Sequence, residues 1–209
     1  MGPGIPFVIS APSGTGKTTV CRLIVAADES LEFSVSHTTR GKRPQERDGA
    51  DYHFVSEKDF RKLIDGRAFV EWAEYSANLY GTSWASIDGP LAEGRDLVLE
   101  IEVQGAAQIR RRREDARFIF LLPPSAAELE RRLRGRGTDS PEVIERRLAL
   151  MQRELEAVHG FDYAVVNDDL DQCVTAVREI ISAERKGAVQ SMRGRFPIPP
   201  EPKSPCGGA

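Results

Sequence analysis

Apolar residues along the chain gather in short runs that alternate with stretches of helical periodicity. Ile5 to Ser10 reads as a buried strand meeting a turn at Ala11-Pro12-Ser13-Gly14. From Lys17 onward Val20, Leu23, Ile24 and Ala27 recur at helical spacing, so the turn opens directly into a helix. Leu97 to Ile101 and Phe118 to Leu122 repeat the buried-strand pattern, and Tyr163 to Val166 supplies the last. Helices are expected between these runs. One carries Gln108 to Arg113, and another opens at Ser125 with Glu128 completing a capping box. Ser140 and Pro141 then start a longer helix through Ile144, Leu148, Met151 and Leu155. Val174, Val177, Ile180 and Ile181 mark the final one.

This alternation predicts an α/β fold with a parallel sheet flanked by helices. The core is assigned to residues 5–33, 94–125 and 153–190, interrupted by segments 34–93 and 126–152. The first interruption mixes α and β: Ser56 and Asp59 form a capping box ahead of Phe60, Leu63 and Ile64, and Phe69 to Trp72 is extended. The tail, 191–209, carries five prolines from Pro197 onward and is expected to be disordered there.

Composition changes this picture little. With 209 residues, 40% hydrophobic and 29% charged, the chain has enough apolar content for one globular core. A formal net charge of -3 gives no overall pull toward nucleic acid or membrane, and no apolar run is long enough to span a bilayer. Three scattered cysteines without metal-ligand spacing fit a reducing, cytoplasmic location. Oligomeric state is left open between monomer and homodimer.

The chemistry begins at the first turn. Ala11-Pro12-Ser13-Gly14-Thr15-Gly16-Lys17-Thr18 matches the phosphate-binding P-loop, with Ala11 in place of the first glycine, and Thr19 follows in the helix. Such a loop aims backbone N–H groups at phosphate oxygens, where the helix N-terminus also favours anions. Lys17 can bridge the β- and γ-phosphates, and the Thr18 hydroxyl can hold Mg²⁺. Glu100, at the end of an apolar strand, fits the acid that reaches Mg²⁺ through water, and Glu102 faces the same side.

A second site must say which reaction follows. Arg40 and Arg43 stand near Ser36, Thr38 and Thr39 in a polar segment, and arginines so spaced can fork onto a phosphate dianion. Tyr52 and Tyr80 offer hydroxyls, and Gly81 next to Thr82 lets the backbone come close. Glu71 sits in the apolar stretch Phe69-Val70-Glu71-Trp72. One carboxylate there can accept from both N1–H and N2–H₂ of guanine and would repel adenine N1; an ion pair with a nearby arginine is the structural alternative.

Taken in series, Ser-Val-Ser-His-Thr-Thr-Arg, Arg-Pro, Gly-Ala-Asp-Tyr-His-Phe-Val, Phe-Val-Glu-Trp-Ala and Tyr-Gly-Thr resemble the guanylate kinase family from about Phe7 to Ile181. The resemblance implies a P-loop kinase core, a GMP-binding segment at 34–93 and a small helical lid at 126–152. It implies transfer of a phosphoryl group from Mg-ATP to GMP, and to dGMP, in purine nucleotide metabolism. Arg40, Arg43, Tyr52 and Tyr80 would hold the GMP phosphate. Ser36, Glu71, Thr82 and Glu102 would hold guanine. Arg132, Arg136 and Arg147 would close over the triphosphate, and Asn167 would lie near the ATP base. Two departures stand out: His37 replaces a frequent serine, and Glu100-Ile101-Glu102 replaces the common Asp-Ile-Asp. Arg110 to Arg113 has no counterpart in the series and reads as a solvated helix face. The rival readings are a non-catalytic guanylate-kinase-like binding module, a P-loop kinase for another phosphorylated acceptor, and a GTPase.

Overall fold

The computed structural model describes residues 2–75, 77–135, 145, 148 and 153–200. In chain order it contains β1 (Pro6–Ser10), α1 (Lys17–Ala26), β2 (Leu31–Phe33), β3 (His37–Thr38), β4 (His53–Phe54) and α2 (Glu57–Asp65). There follow β5 (Phe69–Tyr75), β6 (Asn78–Ser83), α3 (Ala85–Ala92), β7 (Asp96–Glu100), α4 (Val103–Arg110) and β8 (Arg117–Leu122). The remainder is α5 (Ala126–Gly135), a 3-10 turn at Ala157–Gly160, β9 (Tyr163–Val166), α6 (Leu170–Arg185) and α7 (Val189–Arg195). The chain divides into two compact units, one of Met1–Ser10 and Lys17–Phe118, the other of Ala11–Gly16 and Ile119–Ala209.

In the first unit β2, β7 and β1 lie side by side, all parallel, with Leu31 opposite Asp96 and Ile9 opposite Glu100. Every residue of β1 and the first four of β7 are buried, as expected for parallel strands covered on both faces. Val20, Cys21 and Ile24 turn the apolar stripe of α1 inward. A second sheet, in the order β4-β3-β6-β5, forms the body of segment 34–93. Beneath it Phe60 and Phe69 stack 4.6 Å apart beside Leu79, Val55, Leu63 and Ile64. The capping box is present: Asp59 N donates to Ser56 Oγ at 3.1 Å, and Ser56 Oγ donates to the Asp59 carboxylate at 2.6 Å.

In the second unit β8 and β9 pair in parallel, Ile119 with Tyr163 through Leu122 with Val166. Phe120 meets Phe161 edge-on at 4.9 Å, and buried Tyr163 donates its hydroxyl to Glu184 at 2.5 Å. The cap expected at Ser125 is there, its Oγ accepting from Glu128 N at 3.1 Å. Of the helix expected from Ser140, only Glu145, Leu148 and residues 153–156 are described, all helical. Helix α7 continues the fold into the region read as tail.

One expectation needs correction and another gains detail. The helix placed on Gln108 to Arg113 begins at Val103 and is capped at Arg111. Gly105 lies within this helix, where a Cβ would strike Glu71 and Ile101. Arg110, Arg111 and Arg112 are exposed, as a solvated face requires, yet three of the four side chains in the run also make specific contacts. The Arg110 guanidinium lies 3.7 Å over the Phe118 ring, Arg112 donates to Phe69 O and Val70 O, and Arg113 pairs with Asp88 and Asp115. The reason is the open edge of β5, whose carbonyls need donors. Gln108 completes the cover, donating to Trp72 O at 2.7 Å and accepting from Trp72 N at 3.3 Å.

Candidate active site

The phosphate loop spans both units in sequence, and each part has its own supports. In the second unit, Gly14 and Gly16 adopt φ of 94° and 98°, a region that L side chains rarely enter, so both glycines are required by the turn. Ala11 and Thr15 are buried, and Thr15 N bonds Pro12 O at 3.2 Å to close the loop. Ser13 N donates to Glu154 at 3.3 Å, and buried Asn167 donates from Nδ2 to Thr15 O at 2.6 Å.

In the first unit, Lys17 and Thr18 open α1 and Thr19 follows. Lys17 Nζ donates to Ile101 O and to Glu102, each at 3.0 Å. Burial alone would lower the Lys17 pKa; the carboxylates of Glu102 and Glu100 outweigh it and raise the pKa, so the ammonium stays charged. The Thr18 hydroxyl donates to Glu100. The register of β1 with β7 puts Glu100 opposite Ile9, at the end of the strand that leads into the loop. Glu102 is the N-cap residue of α4, and its side chain turns to Lys17 instead of capping the helix.

The arginine site lies between β3 and β4. Arg40 forks onto Glu46, from NH2 at 2.7 Å and NH1 at 3.0 Å, and Glu46 also accepts from Arg43 N at 2.8 Å. The hydrogen bond from Arg40 holds the Glu46 pKa below the usual carboxylate range against the opposing effect of burial. The Arg43 side chain extends into solvent. The Arg40 guanidinium stands 5.5 Å from the Tyr52 ring centre, and the Tyr52 and Tyr80 rings meet at 6.0 Å. Burial pushes Tyr52 up to about 12, so its hydroxyl remains a donor at neutral pH.

Glu71 faces Thr82 across the β5–β6 ladder, and the register shifts between Phe69 and Glu71. Such an irregularity re-aims a side chain, and Phe69, Val70 and Glu71 are indeed all buried in succession. Thr82 donates its hydroxyl to Glu71 at 2.5 Å and lies 3.0 Å from Ser36 Oγ. Glu71 is 3% exposed, and burial pushes its pKa up to about 7 against the hydrogen bonds from Thr82. A Cβ on Gly105 would strike the Glu71 carboxylate, so α4 reaches this close to Glu71 only through glycine. Gly81 has a packing reason as well: a Cβ there would come within 3.0 Å of Phe60 and 3.1 Å of Phe69 and Trp72.

A family model described as guanylate kinase matches residues 4–184. The guanylate kinase of Dechloromonas aromatica is 50% identical over 177 residues, 85% of this chain and 88% of that protein. The guanylate kinase of Syntrophotalea carbinolica is 49% identical over 195 residues, 92% of this chain and 93% of its own. A crystal structure of guanylate kinase from Anaplasma phagocytophilum superposes with a TM-score of 0.73 at 30% identity, over 95% of this chain and 98% of that chain. The chain belongs to the guanylate kinase family.

Of the guanylate kinase residues named from sequence, the first unit gathers Lys17, Thr18, Glu100 and Glu102 at one place. It joins Arg40, Tyr52 and Tyr80 at a second, and Ser36, Glu71 and Thr82 at a third. Glu102 itself contacts Lys17, a partner that the sequence reading did not give it. Arg132 lies on α5 with its side chain outside the described atoms, and Arg136 and Arg147 lie outside the described residues. Sequence reasoning missed Glu46, Gly105 and Glu154. The signal for Glu46 was available, as an acid three residues after Arg43 in a polar segment; Gly105 and Glu154 carried none.

Proposed function

We propose that this chain transfers the γ-phosphoryl group of Mg-ATP to GMP, and to dGMP, giving ADP and GDP in the cytoplasm. The observation that carries the substrate choice is buried Glu71, aligned by Thr82. Its carboxylate can accept from guanine N1–H and N2–H₂ together, whereas adenine presents an acceptor at N1. Ser36 and Thr82 supply adjoining hydroxyls. Arg40, pre-oriented by Glu46, would take the GMP phosphate together with Arg43, Tyr52 and Tyr80.

The donor triphosphate would lie along loop 11–16, with Gly14 and Gly16 admitting close approach and Lys17 neutralising its terminal phosphates. Lys17 would exchange its contacts with Glu102 and Ile101 O for phosphate oxygens. The hydroxyl of Thr18 and, through water, the carboxylate of Glu100 would hold Mg²⁺, two hard oxygen groups already side by side, and the ion would offset charge on the donor's phosphates. No general base is required, since the acceptor phosphate is anionic. The chain's residues align acceptor and donor, neutralise their charge and exclude water. Arg132, Arg136 and Arg147 would add cations over the moving group as a lid.

A coupled ADP-release assay with Mg-ATP against GMP, AMP, CMP and UMP tests the reading. Turnover confined to the guanine nucleotide supports it, and turnover with none would favour a binding module.

A further inference from the structure

Asn167, expected from sequence near the donor base, is bound to the backbone of the phosphate loop. Its backbone N donates to Leu122 O at 2.8 Å, extending the β8–β9 ladder one step past Val166. The sheet therefore fixes where the side chain starts. The residue is 5% exposed, and its Nδ2 gives a 2.6 Å hydrogen bond to Thr15 O. Gly16 is fitted to the same amide: a Cβ there would lie 2.8 Å from Asn167 Nδ2. Glu154 holds Ser13 N, so the loop is tied to a side chain near each end.

We propose that Asn167 is a positioning residue for the phosphate loop, acting through the Thr15 carbonyl and not by reading the donor base. A trans peptide directs its C=O and N–H to opposite sides. Tying Thr15 O back to Asn167 therefore turns Gly16 N–H away from Asn167. The amide thus presets one of the donors that a phosphate needs, before any nucleotide arrives. Without Asn167, a buried carbonyl loses its partner and the peptide between Thr15 and Gly16 is free to rotate.

This inference rests on the reading that the loop binds the donor's phosphates, and its test keeps the two apart. Binding of ADP and of inorganic tripolyphosphate, which has no base, is measured by calorimetry for wild type, Asn167→Ala and Asn167→Ser. Steady-state KM for ATP and for GMP is measured alongside. Both ligands should weaken by roughly tenfold or more in the variants, by a common factor, with KM for GMP within twofold. Weakening of ADP alone would make Asn167 a base reader and overturn the proposal. So would unchanged binding of both, or a rise in both KM values that tracks a lower Tm. A wild type that binds tripolyphosphate yet turns over no GMP would sink the kinase reading and leave the brace standing. A wild type that does not bind tripolyphosphate would sink the brace.

Discussion

Glu71 links stability to substrate choice, and Glu71→Gln separates the two. Burial raises the Glu71 pKa from the ordinary 4.5 to about 7. The folded protein therefore holds this proton more tightly than the unfolded chain does. Above about pH 7 the folded state carries an ionised buried carboxylate, which costs about 3 kcal/mol at 1.36 kcal/mol per pH unit. The cost fades as pH falls from about 7 to 4.5 and is gone below that range. Glutamine keeps an oxygen for Thr82 and carries no charge, so at pH 8 it removes most of this penalty, less the desolvation of its own amide. For a chain of this size each kcal/mol moves Tm by about 2–4 °C, so a gain of at least about 4 °C is expected at pH 8. At pH 5 most of that gain should be absent.

Function moves the opposite way. The amide nitrogen now faces guanine donors, and kcat/KM for GMP should fall by about 100-fold or more, with KM for ATP nearly unchanged. Calorimetric melting at both pH values, paired with steady-state kinetics, reads both effects. A Tm gain of equal size at pH 5 and pH 8 would refute the charge argument. GMP kinetics within threefold of wild type would refute the guanine contact.

Four further outcomes follow from the same geometry. In wild type, kcat/KM for GMP should fall as pH drops through about 7, because binding needs ionised Glu71; a pH–rate profile of Glu71→Gln should lack that inflection. Glu46→Gln loosens the fork on Arg40 and should raise KM for GMP by about tenfold while sparing ATP, in initial-rate kinetics; equal effects on both would argue against a local role. Gly105→Ala pushes a methyl into the Glu71 carboxylate and should weaken GMP binding by calorimetry, with ADP binding retained. Lys17→Ala should lower kcat by about 10²–10³-fold without changing the circular dichroism spectrum, and near-normal turnover would remove Lys17 from the chemistry.

What was legible in the sequence is what local physics determines. Strand β1, the glycines at 14 and 16 and the caps at Ser56 and Ser125 each satisfy a constraint within a few residues, so spacing alone gives them away. Glu71 was legible for a different reason, since a carboxylate in an apolar strand needs an explanation wherever the strand ends up. Glu46 and Gly105 depend on elements brought together by folding, as does the arginine run from Arg110 to Arg113. Arg112 is the surface charge that it reads as, but its contact with the open edge of β5 lies 42 residues away in sequence, beyond any local signal. Nothing local marks Gly105 either, because its need for no side chain comes from Glu71 occupying the space. Both cases involve α4, the helix that follows the acids of β7 and docks on β5. Its N-terminal end thus carries Glu102 toward Lys17, while Gly105 and Gln108 meet the strand that holds Glu71. A change in α4 should therefore be felt at Glu71 and at Lys17 together, although neither residue's own sequence motif includes the helix.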